Sequence, residues 1–225
     1  MSYAQPSDAS LESVIDYVVG VIAVLQATPE LAALAPPWHK LRDNLLKARD
    51  DRDQKRWKLL GAQRKVGVLD VKWDAAVGDL SGRAFLAAGK DAKAHPYADL
   101  FSPLVADDLK RLGPVRAAAA EEVIQAKGKA LAHPDLTKSL DGLDKATVAL
   151  TAADTERTAA LQVVLVLDIE RTKQIAAVDL LVATTEIGVL TAFPGQREIV
   201  RAVLAPAKAE KKAKADTAAT VTPAT

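Results

Sequence analysis

The stretch Gly82 to Lys90 ends in Gly-Lys, the way a phosphate-binding loop ends. Such a loop cradles phosphate between glycines a fixed distance apart and follows its lysine with a hydroxyl for magnesium. Arg83 to Ala88 is too long an insert between the glycines, and Asp91 stands where the hydroxyl belongs. A nucleotide site is therefore not expected. No Gly-x-Ser-x-Gly elbow is present to expose a nucleophilic serine. His39, His95 and His133 each sit beside Pro or Trp at an expected helix edge, and no His-x-x-x-His or Glu-x-x-His pair sets two ligands on one helical face. His133 reads instead as a residue near the carbonyl end of a helix, where a cation is favoured. Asp168 and Glu170 are two carboxylates close in sequence, but residues two apart diverge on a helix and do not share a proton-transfer site. Neither a catalytic residue nor a cofactor or metal site is expected.

Two further clusters invite a binding role. Arg49 to Lys55 is almost wholly charged and places Arg52 and Lys55 among otherwise apolar positions. A buried charge without a partner costs several kcal/mol, so both must be paired or wet. Asp154, Glu156 and Arg157 form a matching polar interval further on. The five residues read as a salt-bridged layer that fixes register between helices, or as a site for an anion or a partner protein. Trp57, between Arg56 and Lys58, falls off the apolar face that holds Trp38 and Trp73. It either shelters under neighbouring aliphatic stems or meets another helix, and the helix partner is the favoured expectation.

The elements that position these residues are punctuated by proline and glycine. Ser10 or Asp8 can cap a helix running to about Gln26, Thr28-Pro29-Glu30 restarts the chain, and Pro36-Pro37 is a second break. From Trp38 the positions Leu41, Leu45, Ala48, Arg52, Lys55, Leu59, Ala62, Val66, Leu69, Trp73, Ala76 and Leu80 alternate three and four apart without a slip. That is a heptad seam, and it predicts a helix on the order of 65 Å long. Gly61 and Gly67 weaken the helix, and Gly78, Ser81 and Gly82 offer an end or a kink. Ser102-Pro103 should open a short helix over 104–112, followed by one from Val115 to Leu131. After His133-Pro134-Asp135 a second long segment runs from Ser139 to Leu190, where Val163 to Leu167 is apolar all round and should be enclosed by neighbours. Asp168, just beyond, has Arg171, Arg157 or Lys72 as candidate partners. Gln196 to Ala205 is a last short helix.

Each half thus reads as helix, proline break, very long helix and short helix, which suggests an internal duplication. The expected division is a flexible start over 1–9, a first helical repeat over 10–113, a second over 114–205 and an Ala/Lys/Thr tail over 206–225 that cannot bury a face.

Composition agrees with helix. The chain of 225 residues is 49% hydrophobic with only 4% aromatic residues. Ala alone is about a fifth of it, and Ala loses no side-chain entropy in a helix, while sheets draw on β-branched and aromatic residues. The expected fold is all-α, an elongated helical bundle with two very long helices. A chain with no cysteine has no disulfide scaffold, thiolate zinc site or cysteine nucleophile, and suits a reducing, cytoplasmic compartment. The first ten residues are polar and do not read as a secretion signal. The apolar windows Val14 to Ala27 and Ile175 to Phe193 carry Asp16 in one and Asp179 and Glu186 in the other. An ionised group at the centre of a membrane span costs about 2.5–3.5 kcal/mol, so soluble helices are the better expectation. A net charge of +1 gives no general attraction to nucleic acid, and four tail lysines less two acids add little.

The sequence therefore speaks of architecture and excludes more chemistry than it suggests. The leading expectation is a non-catalytic structural or protein-interaction protein that self-associates or scaffolds another helical protein. The alternative is an amphipathic protein that binds a lipid or membrane surface.

Overall fold

A computed structural model describes residues 10–103 and 105–205. The expected N-terminal segment and the expected Ala/Lys/Thr tail lie outside the described residues. The fold is all-α, and no strand occurs among the described residues. In chain order the helices are α1 (Leu11–Ala27), a 3-10 turn (Pro29–Leu34), α2 (Ala35–Ala87), α3 (Tyr97–Phe101), α4 (Ala106–Leu109), α5 (Pro114–Leu131), α6 (Pro134–Ala192) and α7 (Arg197–Leu204).

Local chemistry explains most of the boundaries. Ser10 accepts a hydrogen bond from the Ser13 amide and so satisfies one of the free donors at the start of α1. Pro36 and Pro37 do not break the chain as expected: they occupy the first turn of α2, where a missing N–H costs nothing and the fixed φ already suits a helix. Gly78, Ser81 and Gly82 neither end α2 nor stop it short of Ala87. The short helix expected over 104–112 is reduced to the four residues of α4. Ala132, in the left-handed region at φ 47, ends α5, and Pro134 then supplies the first residue of α6.

The chain forms two compact units, and each draws on both long helices. Among the described residues, unit 1 joins 10–47 to 171–205, and unit 2 is Ala48–Glu170. The units therefore cut across the sequence halves 10–113 and 114–205. In unit 1 the inner face of α1 (Val14, Val18, Val21, Leu25) packs with Trp38, Leu41 and Leu45 of α2, Val178, Val182 and Val189 of α6, and Val200, Val203 and Leu204 of α7. Tyr17 closes this core by donating to the Leu204 carbonyl at 3.1 Å. Burial, with Asp179 nearby, pushes its hydroxyl up to about 12, so it stays a donor.

Unit 2 has its own core. Trp73, Val77, Leu80 and Ala84 of α2 meet Leu100, Phe101 and Leu109 of the short helices, Ala117 and Ile124 of α5, and Leu136, Leu143 and Leu150 of α6. Within this unit α2 and α6 run antiparallel, because as the α2 number rises from Arg52 through Lys65 to Trp73 the α6 partner falls from Asp168 through Glu156 to Thr147.

Candidate functional site

Unit 2 divides into a packed end and a thin stretch. From Ala48 to Lys72 no residue of α2 is buried, although the seam positions Ala48, Arg52, Lys55, Leu59, Ala62, Val66 and Leu69 are all half-buried. The seam faces α6, and the rest of the helix surface lies open.

The polar residues singled out from sequence fall in this stretch without converging on one point. Arg52 donates from Nε to Asp168 Oδ1 at 2.8 Å, an inter-helix pair whose side chains keep 25% and 41% of their exposure. Across the two helices Asp168 thus meets Arg52, where Arg157 and Lys72 were the candidates expected besides Arg171 of its own helix: antiparallel packing brings this turn of α6 beside Arg52 rather than beside Lys72. Glu156 meets Lys65 at 2.7 Å. Arg157 pairs with Asp154 on its own helix at 2.6 Å, one turn away. Lys55 is half-buried, and with Lys58 it lines a shallow groove over Ala159, Ala160 and Val163. A half-buried lysine beside small apolar side chains is the arrangement in which the aliphatic stem packs and the ammonium stays hydrated.

The apolar run of α6 is not enclosed. Val164 is buried at 8% exposure, but Val163, Leu165 and Val166 remain 42%, 47% and 56% exposed. One neighbouring helix covers one face of a helix, and here α2 is that neighbour. Trp57 is 73% exposed, so no described residue of the chain covers it. Leu60, Val68 and Val71 share its side of α2 at 44%, 59% and 67% exposure. Sequence reasoning found Trp57 but missed the others, whose spacing of three, eleven and fourteen residues from Trp57 was the available signal.

Titratable groups with displaced ionisation lie toward the packed end. Burial raises the Glu121 carboxyl, and Asp144 and Glu122 add to the effect against a hydrogen bond from Gln125. Burial likewise raises Asp74, reinforced by Asp70 and opposed by Lys110. Asp79 is held low, first by the Ser139 hydroxyl that donates to it and then by Arg83. Glu121 is buried, Asp74 half-buried and Asp79 exposed, and of the three only Asp79 meets a hydroxyl, that of Ser139. His39 contacts Gln26, His95 contacts Asp99 and His133 lies 4.0 Å from Asp135, so the histidines are scattered. Among the described residues no group of three or more His, Cys, Asp or Glu is placed to hold a metal ion.

Comparisons of the chain with protein-family models, with curated proteins and with solved structures return no match.

Proposed function

We propose that this is a non-catalytic helical protein that works by binding another protein, as a scaffold or assembly element, through the outer face of α2 in unit 2. The observation that carries this reading is Trp57, 73% exposed on a helix whose other two tryptophans, Trp38 and Trp73, are fully buried. A large side chain left in water forgoes about 1.5–3 kcal/mol of burial. Val68 and Val71, on the same side of α2, forgo theirs as well, and exposed large apolar side chains gathered on one helix face mark interaction surfaces. The test replaces Trp57 with a photo-crosslinking residue in cells. One specific protein adduct at position 57, absent from the same residue at exposed Asp141, is the expected result; the absence of any adduct would overturn the reading. A cytoplasmic setting goes with this proposal, since the chain has no cysteine to oxidise.

A second reading rests on α6. Part of the helix is long and apolar enough to cross a membrane and is mostly left unburied, and Leu180 and Ile187 in unit 1 are 70% and 68% exposed. This favours an amphipathic protein that lies on a lipid surface. Flotation with neutral and anionic vesicles decides it, and a protein that stays at the bottom of the gradient with both removes it.

A further inference from the structure

The outer face of α2 is symmetric about Arg64. Three residues to either side of Arg64 stand glycines, Gly61 and Gly67; four residues to either side stand Leu60 and Val68; seven residues to either side stand Trp57 and Val71. Offsets of three, four and seven residues return to the same side of an α-helix, so these positions form one strip. The seam positions Lys55, Leu59, Ala62, Val66 and Leu69 lie on the opposite side and are half-buried toward α6. The strip is open: its four large apolar residues are 44–73% exposed, and a Cβ on either glycine would meet nothing within 4 Å.

A surface that binds a copy of itself about a twofold axis must be self-complementary. For two antiparallel helices with the axis at position 64, each residue a given number of steps before Arg64 faces the residue the same number of steps after it in the other copy. Trp57 then meets Val71, Leu60 meets Val68, and Gly61 meets Gly67. A glycine in a helix interior costs about 1 kcal/mol relative to Ala, and nothing in the chain itself demands one at either place. Paired glycines let two helix backbones approach closely, which gives the two residues a purpose. Charge agrees on one flank, where Arg56, eight residues before the centre, comes alongside Asp70, six residues after it.

We propose that the occupant of this face is a second copy of the chain, packed antiparallel along α2 about a twofold axis at Arg64. The proposal rests on the interaction reading above and names its partner. The two Arg64 guanidinium groups face each other across the axis and oppose association, so salt that screens them, or their replacement by Leu, tightens the dimer.

Because the chain has no cysteine, single cysteines report the geometry cleanly. Sedimentation velocity should show a concentration-dependent dimer, weakened on the order of tenfold or more by Trp57→Asp, an exposed position where the substitution leaves the fold intact. Arg64→Cys should oxidise to a covalent dimer. Trp57→Cys alone should not, since its copies would lie about 21 Å apart, fourteen residues along the axis. A mixture of Trp57→Cys and Val71→Cys chains should cross-link to each other. A chain that stays monomeric at its highest soluble concentration, or one in which Trp57→Cys cross-links to itself as readily as Arg64→Cys, overturns the proposal. Failure of the underlying reading is separate: a monomer that still gives a specific adduct of a different protein at position 57 removes only the second copy, and a monomer that gives none removes both.

Discussion

Trp73 donates its indole N–H to the Thr147 hydroxyl at 2.9 Å, and that hydroxyl in turn donates to the Leu143 carbonyl at 2.9 Å. The site is buried, so every polar atom in the relay needs its partner. Unit 1 repeats the device with different residues: Trp38 donates to Thr185 at 2.8 Å, also buried. In each unit an indole on α2 is fastened to a hydroxyl on α6.

Thr147→Val keeps the shape of the side chain and removes the acceptor, leaving the Trp73 N–H buried without a partner. The expected loss is about 1–3 kcal/mol in urea denaturation, and Thr147→Ser should recover most of it. Equal stability of the Val and Ser variants would mean that shape alone, and not the hydrogen bond, matters at this site.

Glu121 and Asp79 should respond to pH in opposite senses. The folded state raises Glu121, so its contribution is full below the unfolded carboxyl value of about 4.3 and is lost as pH rises through the folded value. Glu121→Gln should therefore raise thermal stability at pH 7, with the gain fading in acid. The folded state lowers Asp79, so its contribution is present above about 3.9 and is lost as pH falls through the folded value. Asp79→Asn should cost stability at pH 7 and little in acid. Thermal melts of both variants from pH 3 to pH 8 check the pair, and curves that run parallel to wild type would refute it.

The heptad spacing from Trp38 to Leu80 was legible because it is a local property of the chain, and each of its thirteen positions is buried or half-buried. What covers the other faces is not local. The run Val163 to Leu167 looks enclosed from composition, yet only the side toward α2 is covered, since helix number around a segment depends on how distant elements fold back. Thr147 and Thr185 escaped notice for a related reason: a helical threonine commonly bonds its own backbone, and nothing in the sequence shows that an indole from a residue 74 or 147 positions away needs it. Arg52 was recognised as requiring a partner, but antiparallel register, not sequence proximity, chose Asp168.

Glycine positions separate stability from assembly. Gly61→Ala and Gly67→Ala introduce a methyl group into open space and remove backbone entropy from the unfolded chain, so each should stabilise the monomer by about 0.5–1 kcal/mol. Gly128→Ala should give no such gain, because the new Cβ would stand 2.5 Å from the buried Leu140 side chain. Calorimetry on dilute protein tests the contrast, which fails if Gly128→Ala melts higher than Gly61→Ala. Under a twofold contact the same Gly61 and Gly67 changes should weaken the dimer while they strengthen the fold.

The seam charges provide the last test. Arg52 and Lys55 sit half-buried at positions that Leu would fill, and the Arg52–Asp168 pair keeps enough exposure that its net worth is about 0–1 kcal/mol. Replacing both with Leu exchanges a screened ion pair and a snorkelling lysine for apolar contact along α6, so the double variant should melt above wild type. Lys65→Leu, at an exposed position, should not. A double variant that melts lower than wild type would show that the Arg52–Asp168 contact contributes more to the fold than its exposure implies.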